Sequence, residues 1–388
     1  MPISSPDFRT YDPVFLNTYG LNAAGPLFNG NRVGFPTSGT LSTSTARYVP
    51  FVTRRPYVLQ RWFQATGATA GTNFIQMGIY NNNGELLASS AKAIVTDASG
   101  IMFLPSAAVG AATNRTNGSS STDAATYTTG SVTMKAGRLY LMASEDSHAS
   151  SAPAVSSITA TGGGAPTFAS RSSVQFNGTL NRVSIWSCVP SADYTGTLDI
   201  NFAATATGAC WQLVEFMHVD TTTNDGIVQN ATGTGSSTTP LATLSAFGSA
   251  NNATFGAFGV GAANAGTPST GYFETGDNTA ATPAQALQTV YRYDNDTTVD
   301  ETITSAAWGA CAVEIKALAA GNFIVPTGQY FLAHWSNGNT ATIVRSLSGV
   351  MQAGHMQEAG LTTGLPQTFT PVSAAFLPLF GITRRATP

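Results

Sequence analysis

Strict alternation is the feature that most limits what this chain can fold into. In Leu198-Asp199-Ile200-Asn201-Phe202 every second residue is apolar, and in Cys311-Ala312-Val313-Glu314-Ile315-Lys316 the apolar Cys311, Val313 and Ile315 share one face. A period of two with one polar face is the pattern of a β-strand in an antiparallel sheet packed on one side. Turn chemistry agrees. The apolar run Phe74–Tyr80 stops at Asn81-Asn82-Asn83-Gly84 and resumes at Glu85–Ser89, and Asn and Gly accept the positive φ that tight hairpins need. One helical start is expected, at Pro283 in PAQALQTVYRYD, because proline is favoured at the first helical position. Helix is otherwise scarce.

Composition narrows the classes. Charged residues are 10% of 388, against about 25% in ordinary soluble domains, which argues against coiled coils and helical bundles. A net charge of −3 argues against bulk nucleic-acid binding. No apolar run approaches the ~18 residues of a membrane helix. The N-terminus, MPISSPDFRT, lacks the basic and apolar stretches of a secretory signal. The three cysteines, Cys188, Cys210 and Cys311, have no CxxC spacing and are expected as reduced, buried thiols in strands.

The organisation expected is all-β: two antiparallel, jelly-roll-like β-sandwich domains plus an extended N-terminal arm. Residues 1–47 carry Pro2, Pro6, Pro13, Pro26 and Pro36 among scattered aromatics. Such a segment cannot join a sheet ladder, yet it has anchors for lying on a surface, its own or a neighbour's. Residues 1–149 carry a net +3, residues 150–318 a net −8 and residues 319–388 a net +2. The flanks share two similar segments, KAGRLYLMASED (Lys135–Asp146) and PTGQYFLAHWSNGN (Pro326–Asn339). They read as one discontinuous sandwich, 48–149 with 319–388, and 150–318 as an inserted acidic sandwich. Three tandem β units are the alternative.

Catalytic signatures are absent from the sequence. There is no GxSxG, HExxH or GxxxxGK[ST]. Ser89-Ser90-Ala91-Lys92 matches SxxK without its companion motifs, and FGAFGVG reads as a strand of small residues. Two ligand candidates remain. Asp294, Asp296, Asp300 and Glu301 lie close enough in sequence to offer hard oxygen ligands to Ca²⁺. Trp335, beside a turn in HWSNGN, is the tryptophan best placed to stack on a sugar, whereas Trp186, Trp211 and Trp308 sit among apolar strand residues and read as core.

GIYNNNGELLASS, KAGRLYLMASED and GQYFLAHWSNGN together resemble the β-sandwich appendage proteins of tailed bacteriophages: tail-fibre, receptor-binding, and head-fibre or decoration proteins. The resemblance implies a structural virion protein without catalytic residues or cofactor. It would be assembled in the host cytoplasm, its partners being other virion proteins and copies of itself, a trimer, with a host surface glycan as a further partner. A short tail fibre docked through its arm is the first expectation and capsid decoration the second. A carbohydrate-binding or carbohydrate-active sandwich is the rival from another class.

Overall fold

The computed structural model describes residues 38–40, 45–53, 56–66, 73–95, 100–105, 108–161, 164–264, 266–319, 323–337, 342–344, 356–358, 361, 364–368, 372–373 and 380–386. Most of the expected arm, residues 1–37, lies outside them, but its last part is not an arm: Ser38–Thr40 pairs with Thr342–Val344, and Thr45–Arg47 begins a strand paired with Gly328–Ser336, because no proline interrupts the ladder there. The fold is all-β. Among the described residues the only helical ones form two three-residue 3-10 turns, Asn177–Thr179 and Asn224–Gly226.

The chain divides into two compact units, 1–111 with 318–388, and 112–317. The first boundary is earlier than the charge split suggested. Leu139–Ser147 pairs along its length with Asn181–Cys188, so a cut at 149/150 would divide one sheet. The two segments that look alike, Lys135–Asp146 and Pro326–Asn339, consequently fall in different units.

In the first unit, Gly328–Ser336 runs between Thr45–Thr53 and Phe74–Asn81 in a seven-stranded sheet. The expected hairpin is present there. Asn81 Oδ1 accepts from the N–H groups of Asn83 (3.0 Å) and Glu85 (2.9 Å), and Gly84 adopts φ 79°. A second, six-stranded sheet is built around Tyr57–Thr66.

The second unit contains two sandwiches, where one was expected. The strands of the first are β1 (Gly110–Ser120), β2 (Ala124–Thr128), β3 (Leu139–Ser147), β4 (Val155–Ala160), β5 (Ala169–Phe176), β6 (Asn181–Cys188), β7 (Leu198–Ala206) and β8 (Gly208–Met217). Those of the second are β9 (Ile227–Ser237), β10 (Leu241–Thr243), β11 (Ala253–Val260), β12 (Thr267–Pro268), β13 (Phe273–Ala281), β14 (Ala284–Tyr293), β15 (Thr298–Thr302) and β16 (Ala306–Ile315). The first forms a five-stranded sheet, β5-β6-β3-β8-β1, over a three-stranded one, β4-β7-β2. The second forms β13-β14-β11-β16-β9 over β12-β15-β10. Adding eight to each label converts one arrangement into the other. Each is built on eight jelly-roll strands, the fifth pairing with the larger sheet, and the first roll adds a two-stranded ladder, Val132–Met134 with Tyr194–Gly196.

Both cores are built the same way. Tyr140, Trp186, Leu198, Ile200, Phe202 and Trp211 fill the first, and Phe258, Val290, Val299, Ile303 and Trp308 fill the second. In each, an indole from the last strand lies on a glycine of the first. A Cβ on Gly118 would stand 2.5 Å from Trp211 Cζ2, and one on Gly235 would stand 2.5 Å from Trp308 Cζ2. Gly118→Ala and Gly235→Ala are each expected to cost about 1–3 kcal/mol by overpacking. Gly248→Ala, where a Cβ meets nothing within 4 Å, should leave a denaturant-unfolding curve unchanged. Equal curves for all three would refute the close packing.

The alternating strand Leu198–Phe202 behaves as its pattern demands. Leu198, Ile200 and Phe202 are buried. On the outer face Asp199 accepts from Thr128 Oγ1 (2.6 Å), and Asn201 Oδ1 accepts from Thr126 Oγ1 (2.9 Å). Hydroxyls and amides thus keep the outer sheet wet with little charge.

The segment after Pro283 is a strand, β14, and no helix starts there. Its reading failed because both faces are covered. Ala286, Gln288 and Val290 face the sandwich core, while Gln285, Leu287, Thr289 and Tyr291 face a second sheet, so no solvent face marks the period.

Candidate functional site

That second sheet belongs to the other jelly roll. The two five-stranded sheets stack face to face. β5 packs on β16, and β6 on β16 and β11; with the roles exchanged, β13 packs on β8, and β14 on β8 and β3. The contact is approximately isologous, as in a twofold dimer, although both halves belong to one chain and β5 also packs on β9 without a matching contact of like extent between β13 and β1.

The seam between them mixes aromatic and hydrogen-bonding groups. Phe216 meets Phe255 edge-on at 5.7 Å and Tyr291 at 5.8 Å. Phe176 reaches across β16, and Cβ atoms placed on Gly309 and Gly259 would lie 2.5 and 3.0 Å from its ring. Gln212 Nε2 donates to Leu287 O (2.9 Å), and its Oε1 accepts from Thr289, which also bonds Thr275 (2.6 Å). Asn278 donates to Trp211 O at 2.9 Å. Gln285, in the amide orientation its neighbours dictate, donates to Glu145 Oε2 (3.1 Å) and Ser147 Oγ (2.9 Å) and accepts from Ala209 N–H (3.0 Å). Asn181 donates to the other oxygen of Glu145 at 2.8 Å. Apolar area drives such stacking, and the polar bonds fix its register.

Ionisable side chains also hold each roll together. Glu215 on β8 is fully buried and takes Arg115 on one oxygen and Arg138 on the other (2.5 Å). Burial pushes its pKa up, but the two guanidinium groups outweigh that and hold it below the usual carboxylate range. Glu314 was read as part of a polar face. It is 1% exposed and accepts from Asn252 Nδ2 (2.5 Å) and Gln229 Nε2 (2.6 Å). Asp225, in the connection between the rolls, accepts from Arg171 and Ser187, both at 2.8 Å.

Asp146 differs from these. It is 0% exposed, neither oxygen meets a donor, and burial, only partly opposed by Arg182, raises its pKa to about 8. An acid whose pKa is higher folded than unfolded contributes stability that is complete below about pH 4 and is lost as pH rises to about 8. Burial also raises Glu145, with the same sign. Thermal midpoints should therefore fall from pH 4 to pH 8. Asp146→Asn should flatten part of that slope and raise the midpoint at pH 8. A variant that follows the wild-type slope would refute the assignment.

The sequence candidates fare differently. Asp294, Asp296, Asp300 and Glu301 do not form one site. Arg292 holds Asp294 (2.8 Å) and Asp296 (2.7 Å) while lying 5.5 Å from the Tyr272 ring. Asp300 and Glu301 are adjacent on β15 and so point to opposite faces, with Glu301 inward. Among the described residues no three His, Cys, Asp or Glu side chains converge on a common metal position. Trp335 is 0% exposed and is no sugar platform. It lies in the middle of the seven-stranded sheet, its indole donates to Leu361 O (2.7 Å), and the Lys92 ammonium sits 5.8 Å from its ring. The Asn337-Gly338-Asn339 that follows it in the sequence gave a false impression of exposure. Trp186, Trp211 and Trp308 are core residues. All three thiols are free and buried, with Cys188 and Cys311 pushed up to about 12 by burial.

Sequence reasoning missed the seam and the duplication. Two signals for the duplication exist. Gly118–Thr128 reads GSSSTDAATYT and Gly235–Ser245 reads GSSTTPLATLS, identical at six of eleven positions. Gly-Ala-Cys recurs at 208–210 and 309–311, once in each final strand.

No protein-family model matches the chain, and no curated protein is significantly similar to it. Among solved structures it is weakly similar to infectious bursal disease virus, strains Gt and Gx. Each is 9% identical over 76% of this chain and 81% or 83% of the viral chain, with a TM-score of 0.13. That score is too low to argue from.

Proposed function

We propose that the chain is a structural protein of a tailed-bacteriophage virion, a short tail appendage that docks through the part of its N-terminal arm before Ser38 and assembles with copies of itself as a trimer. One observation carries the reading: a jelly roll is used twice in succession, and the two copies are fastened sheet to sheet by a buried, cross-bonded seam. This makes a stiff block that resists local opening, as a particle component that must survive outside the cell requires. Ionisable groups such as the buried Glu215 and Glu314 and the partly exposed Asp225 are spent on fastening strands. The outer faces expose hydroxyls and amides, which suit contacts with protein or glycan neighbours. The resemblance of GIYNNNGELLASS and its companion segments supports the same class.

The test is incorporation. Particles assembled with a chain lacking residues 1–37, which leaves the paired strands Ser38–Thr40 and Thr45–Thr53 intact, should lose the protein, and retention at wild-type level would remove the docking claim. Copy number per particle separates the tail reading from capsid decoration, because decoration requires hundreds of copies. Inhibition of adsorption by the purified protein would place it at the host surface. A carbohydrate-active sandwich would instead release reducing ends from a host polysaccharide.

A further inference from the structure

The second jelly roll encloses a set of oxygens without donors. Glu301 projects inward from β15, is 1% exposed, and neither of its carboxylate oxygens has a hydrogen-bond donor. Gln288, on β14 of the facing sheet, is 2% exposed, and its Oε1 likewise has none. Its Nε2 is turned to Gly266 O at 3.2 Å. A Cβ on Gly266 would stand 2.3 Å from Gln288 Oε1 and 2.6 Å from Glu301 Oε2, so both oxygens converge on one point at the start of β12. Asp277 is the cross-strand partner of Gln288 and shares its face, and its buried Oδ1 also lacks a donor. Glu274, three residues earlier on the same strand, is exposed and near enough to act on Glu301.

The fold does not demand this. The matching strand of the first jelly roll, β7, fills its inward positions with Leu198, Ile200 and Phe202. A carboxylate in a buried ring of acceptors is costly unless something neutralises it. Hard cations take oxygen ligands of this kind: carboxylates, amide oxygens and backbone carbonyls, completed by water. β12 and β13 are the neighbouring edge strands of the small and large sheets, so the set opens toward a sandwich edge.

We propose that Glu301, Gln288 and Asp277 bind a hard divalent cation of the Ca²⁺ class inside the second jelly roll, with Glu274 at the rim. The site shares only Glu301 with the acidic run read from the sequence, because Asp294 and Asp296 are taken by Arg292. Two carboxylates and an amide oxygen, rather than three carboxylates, supply the protein ligands.

The experiment uses the intact protein at pH 7.5, stripped with EDTA and titrated with CaCl₂, with MgCl₂ as a second arm. Binding is read by calorimetry and stability by thermal unfolding. At calcium about a hundredfold above Kd, the midpoint should rise by roughly 5–10 °C. Glu301→Gln should lose both the heat and the shift, and Asp277→Asn should weaken binding at least tenfold. Asp294→Asn, outside the site, should retain both. Identical wild-type midpoints in EDTA and in calcium, with no binding heat, would overturn the proposal and leave protons as what neutralises the oxygens. Calcium shifts surviving in both Glu301→Gln and Asp277→Asn would overturn the assignment to these residues.

Discussion

Glu215→Ala is expected to lower the thermal midpoint by roughly 6–20 °C, the equivalent of about 3–5 kcal/mol. The carboxylate is completely buried, and the side chains of Arg115 and Arg138 are each only 11% exposed. Removing it leaves two guanidinium groups facing one another where water cannot replace the lost partner. The penalty comes from stranded charge, so it exceeds what the pair contributes relative to a hydrocarbon filling. Lys135→Ala breaks an ion pair to Asp193, whose side chain is 60% exposed, and should change nothing measurable. A midpoint for Glu215→Ala within 2 °C of wild type would show that the arginines find other partners and that the clamp is not structural.

Phe176→Ala is expected to cost about 3–5 kcal/mol and to loosen the seam. Its ring crosses from the first jelly roll onto Gly309 and Gly259 of the second. The glycines leave room that this ring fills, with Glu145 Cγ beside it at Gly259, and shortening it leaves a cavity that neither sheet can collapse into alone. The three thiols report where the loosening occurs. Cys210 and Cys311 face the seam, Cys311 bonding to Val183 O at 3.5 Å across it, while Cys188 lies in the core of the first roll. Cys210 and Cys311 should become reactive to a thiol reagent in native buffer before Cys188 does. Uniform labelling of all three would mean that the variant unfolds globally and that the seam has no stability of its own.

The two approximate copies are not equivalent at that seam. Where β5 presents Phe176 to β16, the corresponding β13 presents Asn278 and Gly276 to β8, and Asn278 and Gln212 bond to backbone and hydroxyl. The backbone arrangement is repeated, but the side chains fit one pairing only. This favours a single register over slippage between two similar sheets.

Strand identity was legible wherever one face meets water. Leu198–Phe202 alternates because Asp199 and Asn201 face outward, where Thr128 and Thr126 bond them, and Asn81–Gly84 reads as a turn because its geometry needs those residue types. Legibility failed where both faces are buried. After Pro283 an inward run and a seam-facing run interleave, and the pattern blurs. Trp335 was misjudged on a different ground: the Asn and Gly after it suggested a surface, whereas its strand lies in the interior of the seven-stranded sheet. The acidic run Asp294–Glu301 was misread as one site because neighbours in sequence were taken as neighbours in space. On a strand, Asp300 and Glu301 are sent to opposite faces.

The amino-acid sequence by itself determined that this is a pleated, antiparallel, hydroxyl-rich protein with buried thiols, because alternation and turn residues act over a few neighbours. Only the tertiary structure decided that the middle of the chain is a doubled jelly roll stacked on itself, and that Glu301 meets Gln288 while Asp294 goes to Arg292. Those outcomes depend on which distant strands lie side by side, and pairing at long range leaves only the faint trace of two related GSS segments in the order of residues.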